Sequence, residues 1–113
     1  MHLEEKIRGE VAIVALDGEL LDENDAFKVH QKISSLLTDG FKKIVFDLQN
    51  LHRINQRGLD TLTMVFQIMR DRGGDIRLAE IDRQIDNIFV KTRLARFFST
   101  YETVGRALAS YME

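Results

Sequence analysis

The segment 43–48, with the sequence KIVFDL, places the strongest constraint on the fold. Ile44, Val45 and Phe46 are consecutive and apolar, so a strand over this segment has no polar face to offer to solvent. Such a strand must be covered by other elements on both of its faces. The segment therefore predicts a buried strand in a layered domain.

Other segments have the pattern of β-strands. Segments 3–8 and 11–16 flank Gly9-Glu10, which suits a two-residue hairpin turn because glycine accepts a positive φ at its first position. These two strands are therefore predicted to be antiparallel. Segment 75–81 alternates apolar and polar residues, which is typical of a strand with one better-solvated face. The segment 94–98 leads into a last short strand.

Apolar residues at helical spacing predict two long helices. The first begins near Asp22, in an acidic cluster that favours the positive end of the helix dipole, and stops at Gly40. The second runs from about 56 to 72 and ends at Gly73-Gly74. The predicted core stripes are Ala26, Val29, Ile33, Leu36 and Leu37 in the first helix, and Leu59, Leu62, Val65, Phe66 and Met69 in the second.

Two shorter helices complete the pattern. Ile85, Ile88 and Phe89 predict the first of them, and the segment 99–102 has the spacing of a capping box ahead of a closing helix. The apolar residues of that closing helix are Val104, Ala107, Leu108 and Tyr111. Strands alternating with helices of this length predict a single α/β domain over 1–113. We expect a sandwich in which a mixed sheet of four to five strands packs with about four helices.

Composition excludes several classes of protein. Sixteen Lys and Arg against eighteen Asp and Glu give a net charge of −2, and the basic residues are interleaved with acids, so nucleic acid is not an expected partner. The absence of cysteine excludes disulfides and thiolate zinc sites. The charged start predicts no signal peptide, and the longest purely apolar run, 11–16, is far shorter than the ~20 residues of a membrane helix. We expect a soluble, cytoplasmic protein without membrane insertion.

Candidate catalytic and metal-binding groups are scarce. His2, His30 and His52 fall in a predicted strand, helix and loop, and none has a carboxylate or second histidine at ligand spacing. The acidic run 22–25 lacks the glycine and the distal glutamate of a calcium loop and suits a solvated helix start. Gly73-Gly74 follows a helix, so it predicts a C-cap rather than a phosphate-binding loop. We therefore expect no catalysis, no cofactor and no metal ion.

The segment 53–59 is the most distinctive part of the chain. It follows the buried strand and opens the second helix, where backbone N–H groups point outward and suit an anion or a polar partner. Asn55 is suited to the helix N-cap. Arg57 would be the chief contact for a bound anion or nucleotide.

Met64 and Ile68 lie four residues apart on the second helix, offset from its core stripe. They form a second apolar ridge, which we call the Met64/Ile68 ridge. Two interpretations of it stay open. The ridge contacts a neighbouring helix, or it is exposed and docks a partner.

Four motifs, in this order and spacing, resemble the STAS domain of bacterial anti-sigma factor antagonists. They are the segments 14–20 (VALDGEL) and 43–48 (KIVFDL), the pair Gly58-Leu59, and the segment 72–78 (RGGDIRL). The likeness covers nearly the whole chain. It implies a mixed sheet backed by helices, no intrinsic catalysis and a role in partner switching. An unphosphorylated antagonist of this type binds an anti-sigma factor that is also a serine kinase, and phosphorylation of the antagonist releases it.

The family's switch motif consists of an aspartate, two hydroxyl residues and Gly-Leu, and the first hydroxyl residue accepts the phosphoryl group. In this chain Asn55 stands at the aspartate, Gln56 at the phosphoacceptor and Arg57 at the second hydroxyl position. A carboxamide accepts no phosphoryl group, so the resemblance does not carry phosphorylation onto this loop. Arg93 is a second departure, because the family usually has glycine before Leu94.

We therefore expect a non-enzymatic STAS protein of the antagonist type that binds a protein partner, such as an anti-sigma factor kinase, without phosphorylation at this loop. The predicted contact residues are Asn55, Gln56, Arg57, Gly58, Met64 and Ile68. Two other classes remain open. One is a STAS scaffold subunit of a larger signalling or transport assembly. A homodimer through a self-complementary Met64/Ile68 ridge would support this class. The other is a small-ligand sensor that binds a nucleotide or anion through Arg57.

Overall fold

The computed structural model describes residues 1–112, which form strands and helices in alternation. The strands are β1 (His2–Arg8), β2 (Val11–Leu20), β3 (Lys43–Asp47), β4 (Leu51–Ile54), β5 (Asp75–Ala79) and β6 (Ser99–Tyr101). The helices are α1 (Glu23–Thr38), α2 (Gln56–Asp71), α3 (Arg83–Lys91) and α4 (Val104–Ser110), and a short 3-10 turn covers Leu94–Arg96. Among these described residues, no helix combines the length and the apolar composition needed to cross a bilayer.

The sheet is mixed, with the strand order β1-β2-β3-β5-β6. β1 and β2 are antiparallel and are joined by the predicted turn, in which Gly9 has a φ of 60°. β3 lies between β2 and β5 and is parallel to both, so that Phe46 is opposite Val14 on one side and Leu78 on the other. The predicted α/β sandwich is therefore confirmed.

Both faces of the sheet are covered. Ile44 and Phe46 belong to the larger core, which is shared with α1, α2 and α3, whereas Val45 belongs to a smaller core under α4. All three side chains are fully buried. The prediction that this strand has no face for solvent is confirmed, because helices pack on both sides of β3.

One strand is missing from the prediction. The segment between β3 and α2, which we expected to be a loop, contains β4. β4 pairs in parallel with the last residues of β2, from Gly18 to Leu20, because β2 continues four residues beyond its predicted end at Leu16. The sheet therefore has six strands rather than four to five. With only four residues, β4 is too short to show a period, and its backbone partners come from a distant segment.

The helix starts are set by side-chain caps. Asp22 caps α1, Asp82 caps α3 and Thr103 caps α4, each accepting a hydrogen bond from the N–H three residues later at 2.8–3.0 Å. The capping box predicted at 99–102 is wrong, because Ser99 lies in β6 opposite Arg77 of β5. Pairing with β5 holds that segment extended, so Thr103, the first hydroxyl residue after β6, takes the cap.

Arg93 occupies the place where the resemblance leads one to expect glycine. Its φ is 64° and its ψ is 12°, in the left-handed region that glycine enters at little cost and that other residues enter at a cost of about 1–2 kcal/mol. The connection from α3 to the 3-10 turn carries local strain as a result.

Candidate functional site

The candidate site lies where β4 ends and α2 begins. Asn55 caps α2, because its side-chain Oδ1 accepts a hydrogen bond from the Gly58 N–H at 3.0 Å. Its Nδ2 donates to the backbone carbonyl of Leu21 at 2.8 Å. The predicted N-cap is confirmed, and the amide end of the same side chain ties α2 to the connection between β2 and α1.

Leu21 is held from two sides. Its carbonyl accepts the hydrogen bond from Asn55, and its N–H donates to the Asp25 carboxylate at 3.1 Å. Burial by itself would raise the pKa of Asp25, but the Leu21 N–H stabilises the charged form, and the net effect is a pKa below the ordinary 3.8. The ionised carboxylate therefore fixes the connection against which the start of α2 rests.

Gly58 brings α2 into direct contact with β2. A Cβ at this position would lie 2.3 Å from the carbonyl oxygen of Leu20 and 2.6 Å from Cγ1 of Ile54, so no other residue fits without movement of the backbone. Gly58 is also buried. Its part in any partner-binding surface is therefore indirect, since it sets the position of the neighbouring exposed residues.

Gln56 is exposed at the first position of α2. Its Nε2 donates to Oδ1 of Asp60 at 2.9 Å, one helical turn later. The nearest hydroxyl groups on α2 are those of Thr61 and Thr63, and they donate to the carbonyls of Arg57 and Leu59 at 2.9 and 3.0 Å. The first position of α2 thus holds a neutral amide that is engaged within its own helix.

The cationic side chain of Arg57 forms an ion pair with Glu23. Its Nη1 donates to Oε1 of Glu23 in the first turn of α1 at 3.1 Å. Both side chains are exposed, so this ion pair contributes little to stability and can exchange for another partner. The carboxylate of Glu23 and that of Asp60, which lines the same groove as Arg57, make the local potential unfavourable for a bound anion.

A groove of about 490 Å³ lies between α1 and α2. Its lining residues are Ala26 and His30 from α1, and Arg57, Asp60, Thr61 and Met64 from α2. Met64 is 58% exposed and Ile68 is 37% exposed. This exposure favours the second interpretation of the Met64/Ile68 ridge, in which it is a surface and not a helix contact. Met64 and Arg57 thus line the same groove.

The residues of α1 were not assigned to the site from the sequence. Glu23, Ala26 and His30 join it only because α1 packs along α2. No local pattern indicates this, since the Arg57–Glu23 pair spans 34 residues. Asp60 is different, because its position four residues after Gln56 on a helix is a readable signal for a side-chain pair.

The model of the STAS domain family matches residues 2–107. The chain belongs to the STAS family. The match includes every strand, the loop at 55–58 and α2. The match therefore covers the whole sheet and the candidate site.

Solved structures share this STAS fold. An anti-sigma factor antagonist from Mycobacterium paratuberculosis is 20% identical with a TM-score of 0.85, covering 99% of this chain and 94% of its own. The protein TM1081 of Thermotoga maritima is 22% identical with a TM-score of 0.84, covering 98% and 95%. The STAS domain of a SulP transporter from Vibrio cholerae is 15% identical with a TM-score of 0.79, covering 95% and 84%. At these identities the likeness shows the fold alone.

Proposed function

We propose that this STAS domain is a non-enzymatic, cytoplasmic regulator of the anti-sigma factor antagonist type, which binds a protein partner without a phosphorylation switch at its loop. The observation that supports this most is Gln56. It lies at the first position of α2, where the family motif has its phosphoacceptor, while the surrounding geometry of Asn55 and Gly58 is intact. The loop keeps the backbone geometry of a recognition site and lacks the hydroxyl group whose phosphorylation would control binding.

The proposed contact surface combines polar and apolar groups. Gln56 and Arg57 supply hydrogen-bond donors at the start of α2, and the Met64/Ile68 ridge supplies apolar area within the next three turns. An apolar centre beside polar groups is the usual composition of a protein interface. The groove between α1 and α2 would receive a partner side chain next to Met64.

Constant binding follows from the chemistry of Gln56. A phosphoserine brings roughly −1.5 to −2 charge to a helix start, and a neutral amide brings none of it. A partner whose affinity depends on the charge at this position would therefore bind the protein at all times as it binds an unphosphorylated antagonist. Its control would then come from the abundance of this protein or from the partner.

The first experiment tests the surface. The wild type and the double variant Met64→Lys/Ile68→Lys serve as baits for proteins from the native host, and recovered proteins are identified by mass spectrometry. The control is Val90→Lys/Phe97→Lys, which changes two apolar residues that are 61% and 56% exposed and lie outside the groove. We expect one protein to be recovered with the wild type and the control and to be lost with the ridge variant. Equal recovery with all three baits would refute the proposed surface.

The second experiment tests the loop with the partner identified in the first. Gln56→Ser should retain affinity, and Gln56→Glu should weaken it by about 1–3 kcal/mol if the new charge is left unpaired at the interface. Gln67→Glu is the matched control, because Gln67 is also exposed on α2 and also donates to an aspartate four residues later, at 2.8 Å. Equal affinity for all four proteins would show that Gln56 lies outside the interface.

A scaffold function is the second candidate. The SulP transporter domain of Vibrio cholerae has the same fold, so the fold also suits a subunit of a larger assembly. The first experiment distinguishes the two, because a scaffold subunit would be recovered with a membrane transporter or with further STAS proteins. A nucleotide or anion sensor is less well supported, since Glu23 already pairs with Arg57. Calorimetry with phosphate and common nucleotides, on the wild type and Arg57→Ala, tests it.

A further inference from the structure

β1 is at one edge of the sheet, and half of its backbone groups point away from β2. The two-residue turn makes Arg8 and Val11 a hydrogen-bonded pair, and such pairs alternate along an antiparallel ladder. The even-numbered residues of β1 therefore bond to β2. The N–H and C=O groups of Leu3, Glu5 and Ile7 face outward, and no strand within residues 1–112 pairs with them.

We propose that β1 pairs antiparallel with β1 of a second copy of this chain, about a two-fold axis at Glu5. In this register Leu3 of each copy lies opposite Ile7 of the other, and the two Glu5 residues face each other. All of these positions have outward-facing backbone groups. The register therefore forms three hydrogen-bonded pairs, with two hydrogen bonds each, between the copies.

The side chains on the α1 face are complementary in this register. Ile7 is 41% exposed, and it would pack against Leu3 of the second copy. The two Glu5 carboxylates would repel each other if they were alone. Each of them is paired with Lys32 of its own α1, with Nζ and Oε1 3.2 Å apart, so the two lysines offset this repulsion.

The opposite face selects the same register. The axis at Glu5 places Glu4 of each copy opposite Lys6 of the other, which forms two pairs of opposite charge. Moving the axis to Glu4 sets two glutamates against each other, and moving it to Lys6 sets two lysines against each other. Both moves also separate Leu3 from Ile7. Charge and apolar contact thus favour one pairing among its neighbours.

The edge has room for a second strand. A groove of about 490 Å³ lies between β1 and α1, lined by Leu3, Lys28, Lys32 and neighbouring residues, and it would receive Ile7 of the second copy. α1 packs over β2. Three strand spacings would separate the two β2 strands by about 14 Å, and a helix is about 10 Å wide, so the two α1 helices do not collide.

The first test uses charge exchange. Sedimentation velocity should show a concentration-dependent dimer for the wild type. Glu4→Lys and Lys6→Glu should each raise the dimer dissociation constant about tenfold, because each converts two pairs of opposite charge into two of like charge. The double variant Glu4→Lys/Lys6→Glu should restore the wild-type value. A monomer at all concentrations would overturn the proposal and assign the charged edge to protection against aggregation.

The second test identifies the register. The chain has no cysteine, so single cysteines report on their own positions. Under mild oxidation a mixture of Glu4→Cys and Lys6→Cys should form a disulfide between the two different variants, and each variant alone should not form one efficiently. Circular dichroism confirms that both are folded. Efficient cross-linking of either variant with itself, or none in the mixture, would refute the Glu5 register even if a dimer forms.

Discussion

Replacing Gly58 with alanine is the sharpest test of how α2 is seated. The new Cβ would lie 2.3 Å from the Leu20 carbonyl oxygen, whereas ordinary contacts begin near 3.4 Å, so the first turn of α2 has to move by about 1 Å. The obstacle is backbone, which cannot rotate away. Overpacking of this kind costs about 1–3 kcal/mol, and the movement also strains the Asn55 cap, which is worth about 1 kcal/mol. Because alanine has a higher helix propensity than glycine, the substitution also stabilises the helix by about 1 kcal/mol.

The net expectation for Gly58→Ala is a loss of about 2 kcal/mol in the free energy of unfolding, and a melting temperature about 10 °C lower. Urea denaturation and calorimetry measure these quantities. Gly105→Ala is the control, because Gly105 is also in the first turn of a helix and a Cβ there would meet nothing closer than 3.8 Å. The control should be neutral or more stable by up to about 1 kcal/mol. If Gly58→Ala matches the control, the argument from close contact is wrong.

Four further predictions concern stability and use urea denaturation. Asn55→Ala should lower the free energy of unfolding by about 1–2 kcal/mol, because it removes the cap of α2 and the hydrogen bond to Leu21. Asn55→Asp keeps the capping oxygen and should lower it by less. An equal loss for the two variants would contradict this account. Arg93→Gly should raise the free energy of unfolding by about 0.5–1 kcal/mol, because glycine adopts the left-handed φ of 64° with little strain. A decrease would show that the contacts of the Arg93 side chain matter more than the backbone strain. The lowered pKa of Asp25 means that the stabilisation from its carboxylate is complete above pH 3.8 and is lost as the pH falls through the folded-state pKa. The difference between wild type and Asp25→Asn should therefore shrink below pH 3.8, and a difference independent of pH would refute the assignment. Tyr111→Phe should lower the free energy of unfolding by about 1–2 kcal/mol, because the hydroxyl shares its one proton between two backbone carbonyl oxygens at 2.9 and 3.0 Å. No loss would show that α4 is held by apolar packing alone.

The two proposed surfaces of this domain lie on different flanks of α1. The groove toward α2 is lined by Ala26 and His30, whereas the groove toward β1 is lined by Lys28 and Lys32. A dimer through β1 would leave the α2 groove open. Each dimer would then present two partner-binding surfaces, and variants of one surface should leave the other intact.

Elements with a strong period were predictable from the sequence. The core stripe of α2, most of that of α1 and the burial of β3 depend on residues close together in the chain, and the structure has these elements within a residue or two of the predicted bounds. Ala26 is the exception, because it lines the groove between α1 and α2 and is not part of the core. The N-cap role of Asn55 was predictable for the same reason, since the cap and the N–H that it accepts from are three residues apart. Local spacing is sufficient where the interaction itself is local.

The incorrect sequence predictions concern segments whose conformation depends on pairing with distant strands. β4 and the cap of α4 were missed or misplaced because β2 and β5 impose extended conformations on segments that have no strong period of their own. Arg93 shows the same effect, since the surrounding structure holds it in a conformation that its own side chain disfavours.

The family and the order of the elements other than β4 follow from the sequence, because both depend on residue identity and near spacing. The residues that the β2–α1 connection and α1 bring to the site follow only from the fold. Asn55 meets Leu21, and Arg57 meets Glu23, across 34 residues of chain in both cases. These contacts exist because α1 and α2 pack side by side on one face of the sheet, and that packing results from apolar burial over the whole domain, which specifies no individual polar pair.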